Sequence, residues 1–385
     1  MSRGGESGAS GRPSWFARLV LPGFAFKAVV IGGGYATGRE VAEFFLPCGP
    51  RGGLLAMAVS TTIWAVVCAL TFLFARATQS LDYRSFFREL LGSAWPAFEL
   101  AYFALLLLIL SVFGAAAGAI GAALVGAPEI VGALFLMVAI TLAVWQGNES
   151  VERVFKYVSI ALYTVYAVFF ALSLTHFGPE IRHGFTLAPP TTANWFLAGV
   201  SYAGYNVVCA IAVLPVVRHM TSQRDALVAG LLCGPLAMVP AALFFVCMCA
   251  FYPAISGATL PSDWMLARLD LPAFRVVFQV MIFAALVESG AGTLNAVNQR
   301  IAMAYAERGR SLPASLRALV SSCILVIAIF IASRFGLVAL IAKGYRALTA
   351  LFLIVYILPL LTYGLWRLLV RSTVLGCHQR ESVVQ

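Results

Sequence analysis

Long apolar runs, separated by a few polar residues or by tight Gly/Pro turns, dominate this chain. A helix needs roughly 20 apolar residues to cross a bilayer. Ten runs reach that length, at about 20–46, 53–78, 95–125, 128–146, 153–176, 193–217, 226–252, 272–304, 314–334 and 345–370. Pro47-Cys48-Gly49-Pro50 and Gly126-Ala127-Pro128 punctuate two of the junctions. The stretch from Leu81 to Leu91 is amphipathic and predicts a helix lying on the membrane surface; Pro261 to Leu269 predicts a second. The pattern is that of an all-α integral membrane protein with about ten transmembrane helices.

Within the first run, residues 31 to 40 read I-G-G-G-Y-A-T-G-R-E. Gly32, Gly33, Gly34 and then Gly38 predict a helix broken at mid-depth. Backbone N–H and C=O groups freed there cannot face lipid, because each would cost several kcal/mol. They must line a protein-walled cavity. The start of the outer half-helix presents N–H donors and a partial positive charge, which suits a carboxylate. The carbonyls that end the inner half, around Val30 and Ile31, suit Na⁺.

Composition agrees with the pattern. The chain is 61% hydrophobic and 11% charged, where soluble domains carry about 25% charged residues. The net charge of +10 does not indicate nucleic acid, since the basic residues fall at helix ends and in loops. Cys68, Cys209, Cys233 and Cys323 are scattered through apolar segments and no CxxC occurs, so neither a disulfide framework nor a zinc site is expected. His176, His183, His219 and His378 lie in loops or near helix ends and form no predicted cluster. The Gly/Ser-rich N-terminus is polar and predicted disordered. It is no signal peptide, since the apolar run after it is too long. The predicted organisation is a disordered cytoplasmic segment 1–18, a transmembrane domain 19–371 and a cytoplasmic tail 372–385.

Eighteen of the 26 Lys and Arg residues fall on one side of a ten-span arrangement and seven on the other, with Arg39 inside a span. The positive-inside bias then places both termini in the cytoplasm. The chain also echoes itself. Tyr35-Ala36 recurs as Tyr202-Ala203, an offset of 167 residues, and both copies sit among small residues at mid-span. Five spans separate them, so the two copies would enter the membrane from opposite sides. Repeat one covers about 20–176 and repeat two about 193–370. Paired interrupted helices in two halves are the best pointer to a transporter binding site.

A 5+5 inverted repeat with broken helices 1 and 6 resembles the LeuT-type fold of the amino acid–polyamine–organocation superfamily. The run G-G-G-Y-A-T-G-R-E, followed by E-F-F-L-P, more narrowly resembles the YkvI-like family of bacterial membrane proteins. The fold resemblance implies a sodium site between the first break and hydroxyls of the eighth helix, for which Ser289 and Thr293 are the matching residues. Glu288 beside them departs from the commonest sodium pattern, which leaves Na⁺ and H⁺ both open. In some proton-coupled members a lysine on the fifth helix replaces sodium. Lys156 is near that helix's cytoplasmic end, where it reads as a snorkelling residue.

The candidate substrate-binding residues are Gly32, Gly33, Gly34, Tyr35, Thr37 and Gly38 on the first helix, and Ser201, Tyr202, Tyr205 and Asn206 on the sixth. Asn206 can read a polar substrate group, and either tyrosine could form an aromatic wall. Glu288, Ser289, Thr293, Val30 and Ile31 are candidates for the coupling ion or proton. Ionisable groups inside a span are functional candidates by default, so Arg39, Glu40 and Glu43 are candidate gates. An Arg39–Glu43 ion pair at the outer mouth is the bland reading of two of them. Gly114, Gly118 and Gly121 with Ala117 form a small-residue seam suited to helix packing.

These readings favour a secondary transporter of a small amino acid or related zwitterion or amine, driven by Na⁺ or H⁺, with no other cofactor. A transporter-like sensor would keep the same site. An intramembrane enzyme is disfavoured, because no HExxH, GxSG or paired-Asp constellation lies at membrane depth. A channel would show symmetric pore-lining repeats instead of two broken helices. Substrate and oligomeric state are not read from the chain.

Overall fold

A computed structural model of the chain describes residues 14–145, 148–187, 194–306 and 309–370. Most of the predicted N-terminal segment, the tail with His378 and the side chain of Lys156 lie outside the described residues. Every regular element among the described residues is helical.

The first apolar run is divided into a π-type turn (Phe16–Val20), α1 (Leu21–Val30), a one-turn α2 (Gly33–Ala36) and α3 (Arg39–Phe45). Helical backbone therefore begins at Phe16, slightly inside the stretch to residue 18 expected to be disordered. Next come α4 (Gly49–Thr78), the short α5 (Tyr83–Leu91), α6 (Pro96–Val125), α7 (Glu129–Trp145) and α8 (Asn148–His176). A bend of 70° leads from α8 into α9 (Gly178–Leu187), which the hydrophobic pattern did not single out. The second half holds α10 (Trp195–Asn206), α11 (Cys209–Ala212), α12 (Gln223–Met248), α13 (Pro261–Arg268), α14 (Pro272–Ala306), α15 (Ala314–Ala339) and α16 (Tyr345–Phe352).

By length and hydropathy, six of the described helical stretches could cross a membrane, or seven if the bent α8–α9 pair counts as one. Two of the six, Arg39–Thr78 and Ser315–Val370, run for 40 and 56 residues. At about 1.5 Å per residue each is roughly twice or more the ~30 Å of hydrocarbon it would cross, so each contains more than one crossing or a bend. Among the described residues, each of the ten predicted apolar runs contains helical backbone.

α4 packs most extensively against α12. Gly230 and Gly234 allow this approach, since a Cβ at either would strike the α4 main chain at Ala69 or Thr61. Between helices in lipid, such close packing is a principal source of association. The small-residue seam of α6 acts likewise. Gly118 lies against the Glu129 backbone of α7, and Gly114 against Ala332 of α15. The core beside the first interrupted helix is aromatic. Trp64 is fully buried, with Phe26 and Tyr202 at ring-centroid distances of 5.7 and 5.5 Å.

Both short amphipathic stretches are helical. α5 is capped by the Asp82 carboxylate, which accepts from the Arg84 and Ser85 N–H groups at 2.9 and 3.0 Å. Its apolar face buries Phe86, Phe87 and Leu90, as the alternation of polar and apolar positions requires. α13 occupies the second predicted stretch.

Candidate functional site

The glycine-rich decapeptide interrupts its helix twice. α1 stops at Val30 because Ile31 leaves helical dihedrals (φ −75°, ψ 80°). Gly32 then folds back, its N–H donating to the Val30 carbonyl at 2.8 Å. The single turn of α2 closes with the Ala36 N–H on the Gly32 carbonyl, also 2.8 Å. The second interruption is Gly38, in the left-handed region at φ +78°. A side chain there would cost about 1–2 kcal/mol in backbone energy, and its Cβ would overlap the Phe244 ring.

Protein groups satisfy the carbonyls released between α2 and α3. Thr37 Oγ1 donates to the Gly34 carbonyl at 3.0 Å, the Tyr166 hydroxyl of α8 donates to that of Ala36, and the Ser262 N–H of α13 donates to that of Thr37 at 3.1 Å. The start of α3, expected to offer a carboxylate open N–H donors, is covered. Phe244 lies against Gly38, and the Arg39 N–H reaches Thr37 Oγ1 at 3.4 Å. The helix can break here at little cost because α8, α13 and the break's own Thr37 replace its lost bonds.

The open space lies at the first interruption. A cavity of about 350 Å³ meets α1 at Val30 and the break at Gly32. α3 contributes Glu40, α10 contributes Tyr205 and Asn206, and α14 contributes Ser289 and Thr293. Seven residues singled out as candidates, from α1, the break, α3, α10 and α14, thus share one cavity with α6 and α16.

Glu40 occupies its polar end. Its side chain is 4% exposed. One carboxylate oxygen accepts from the Tyr205 hydroxyl at 2.7 Å, and Tyr345 at the start of α16 is a second hydrogen-bond partner. The two tyrosine rings stack at 4.2 Å and 14°. The carboxyl also lies over Gly34, where a Cβ would overlap it. Gly34 is therefore the residue that lets the Glu40 side chain lie back along α2.

Other candidates lie away from the cavity wall. Tyr35, Thr37 and Gly38 are buried behind α2 and α3. Ser201 points its carbonyl at Thr349 Oγ1, 2.7 Å away on α16. Tyr202 is enclosed by Phe44, Phe45 and Trp64. The hydroxyls of Tyr35 and Tyr202, the two echoed tyrosines, are buried without a hydrogen-bond partner. Ile31 and Glu288 also lie off the wall. Glu288 is half-buried on α14, close enough to Tyr163 of α8 to interact electrostatically.

Arg39, next to Glu40 in sequence at the start of α3, forms a part-buried latch with Glu43 one turn on. The Arg39 guanidinium donates to Glu43 at 2.6 Å and to the carbonyls of Ser256 and Ala258 at 2.9 Å each. Those carbonyls belong to the segment between α12 and α13. Arg346 of α16 adds a second cation 3.5 Å from Glu43. The predicted i,i+4 pair is present, and the cross-links to α16 and to this segment make it a fastening between elements.

Hydrophobic pattern alone did not mark Tyr345, Tyr102 or Phe113 as cavity residues, yet all three line it. Tyr345 reaches Glu40 because a π-type turn at Leu340–Gly344 leads into α16. The polar Lys343-Gly344-Tyr345-Arg346 entry to an otherwise apolar segment is the sequence signal that could have found it.

No family model matches the chain. The membrane protein YkvI of Bacillus subtilis is 25% identical over 257 residues, spanning 66% of this chain and 70% of YkvI. Among solved structures, MhsT in complex with L-phenylalanine superposes with a TM-score of 0.57 at 17% identity, covering 94% of this chain and 99% of that one. A Na⁺-coupled sialic acid symporter gives 0.57 at 12% identity, covering 91% and 79%. The Eremococcus coleocola manganese transporter gives 0.56 at 18%, covering 94% and 81%. The chain is an all-helical membrane protein with the LeuT-type fold, similar in sequence to YkvI.

Proposed function

We propose that this protein is a secondary transporter that moves a small amino acid, or a related zwitterion or amine, by alternating access coupled to Na⁺ or H⁺. The observation that carries the reading is the cavity. It sits where the first helix is interrupted, and residues of α1, α3, α10 and α14 converge on it. Discontinuous helices bordering a midplane site are a transporter's usual way of placing polar backbone at membrane depth. The solved structures of similar fold include a Na⁺-coupled symporter and a protein holding L-phenylalanine. In this reading the ten apolar runs form two inverted five-helix halves, with both termini in the cytoplasm of a bacterial inner membrane. Val30 at the break and Ser289 and Thr293 across the cavity are the proposed coupling-cation ligands, with Glu288 behind them. The Arg39–Glu43–Arg346 latch closes the α3 side.

The test is uptake into proteoliposomes of radiolabelled amino acids and amines, with an imposed Na⁺ or proton gradient. Accumulation that collapses when the gradient is dissipated is the expected result. Binding with no gradient-driven accumulation would make the protein a sensor.

A further inference from the structure

The charge lining the cavity narrows the class of ligand, given the transporter reading above. Among the described residues, Glu40 is the one Asp, Glu, Lys or Arg on the cavity wall. It is a carboxylate within an apolar and aromatic enclosure, and among the described residues no basic side chain lines the space to meet a ligand's acid group. The opening turn of α2, where a substrate carboxylate would meet backbone N–H groups, has the Glu40 carboxyl lying over it at Gly34. A second carboxylate brought there would face the first at short range and in low dielectric, where like charges repel most strongly.

A cation meets the opposite circumstances. A buried carboxylate gains most from an oppositely charged partner that also hydrogen-bonds to it. Tyr205 and Tyr345 already orient the Glu40 oxygens and would hold them for a donor. Tyr102, Phe113, Tyr205 and Tyr345 line the same space, and aromatic faces attract ammonium groups. The volume of about 350 Å³ is that of a small organic ligand site, much larger than a bare metal ion needs. Asn206, Ser289 and Thr293 supply neutral polar groups beyond the carboxylate.

We propose that the cavity binds an organic ammonium ion that lacks a carboxylate of its own, with Glu40 as the counter-ion.

Matched pairs of ligands test this on the full-length protein in detergent. L-Leucine is compared with isoamylamine, and L-phenylalanine with phenethylamine, each with and without Na⁺, by thermal shift and by calorimetric titration. In each pair the members differ by one carboxylate. The amine should bind at least tenfold more tightly than its amino acid. Glu40→Gln should weaken the amine at least tenfold and narrow the gap within each pair. Because Glu40→Gln could also disturb folding, Gly292→Leu provides an independent check. Gly292 lines the cavity, and a Cβ there meets no atom within 4 Å. That variant should keep the wild-type melting temperature, leave Glu40 in place and abolish amine binding. Amino acids binding more tightly than their amines, with Glu40→Gln indifferent, would overturn the proposal and leave the transporter reading standing. Failure of every ligand to bind at 10-millimolar order, together with absent uptake in proteoliposomes, would overturn both.

Discussion

The first interrupted helix and its echo at α10–α11 share a Tyr-Ala pair, yet they solve different problems. At Gly32 to Gly38 the helix axis is cut twice, once by the tight turn at Ile31 and once by a left-handed glycine. At Val207 and Val208 the dihedrals stay right-handed helical. There the hydrogen bonds shorten to an i→i−3 pattern, as in Ala210 N–H to Val207 and Ile211 N–H to Val208, both 3.0 Å. Four glycines stand in the first stretch and two, Gly199 and Gly204, in the second. The partners differ as well. The first break receives donors at carbonyls it has released. The intact α10 has side-chain donors on carbonyls at Gly199, Ser201 and Ala203, from Ser60, Thr349 and Trp64. The comparison teaches that residue echo sets where a helix is softened, while glycine density and neighbouring donors set whether it breaks.

The contrast is sharpest at the glycines. Gly38→Ala should cost about 4 kcal/mol, adding left-handed backbone strain to overlap with Phe244. Gly204→Ala meets only the side chain of Thr349 in a helical backbone and should cost roughly 1–2 kcal/mol. Reversible unfolding in detergent measures both, and equal losses would break the comparison. Arg39→Met comes next in size. It removes three hydrogen bonds from a buried cation and leaves Glu43 partly unpaired, a loss of about 3 kcal/mol. Faster hydrogen exchange should appear in α3 and in residues 252–258, with α10 unchanged. Trp64→Phe should have the smallest effect. It removes the indole N–H donated to the Ala203 carbonyl at 3.2 Å and should cost about 1 kcal/mol. Its exchange signature belongs in α10, leaving α2 untouched.

Much of this was legible in the chain because bilayer physics leaves few options. Apolar run length located the helices, and the glycine cluster located the break. What pattern could not reveal is which side of a broken helix faces space. Four glycines in seven residues look equivalent on paper. In the fold Gly32 borders the cavity, Gly34 underlies Glu40 and Gly38 is sealed beneath Phe244. Arg39 and Glu40 are both candidate gates by sequence because each is ionisable within a span. Helical geometry separates the two, since adjacent residues point about 100° apart; Arg39 turns toward Ser256 and Glu40 toward Tyr205. Tyr345 was invisible for a further reason. It lies some three hundred residues from Glu40 in sequence, and only tertiary packing brings it there. The carboxylate at Glu288, prominent in an apolar helix, lies off the cavity wall, because a position halfway along a span fixes its depth and says nothing of its azimuth.

The Arg39 fastening has a mechanical meaning beyond holding two elements together. A guanidinium is planar and its donors point in fixed directions. The carbonyls of Ser256 and Ala258 and the carboxylate of Glu43 are therefore held at set angles as well as set distances. Rolling α3 about its own axis would swing the plane of that fork and unseat both carbonyls together. The segment between α12 and α13 thus registers rotation of α3, as a key registers the turning of a shaft, even where the helix does not translate at all.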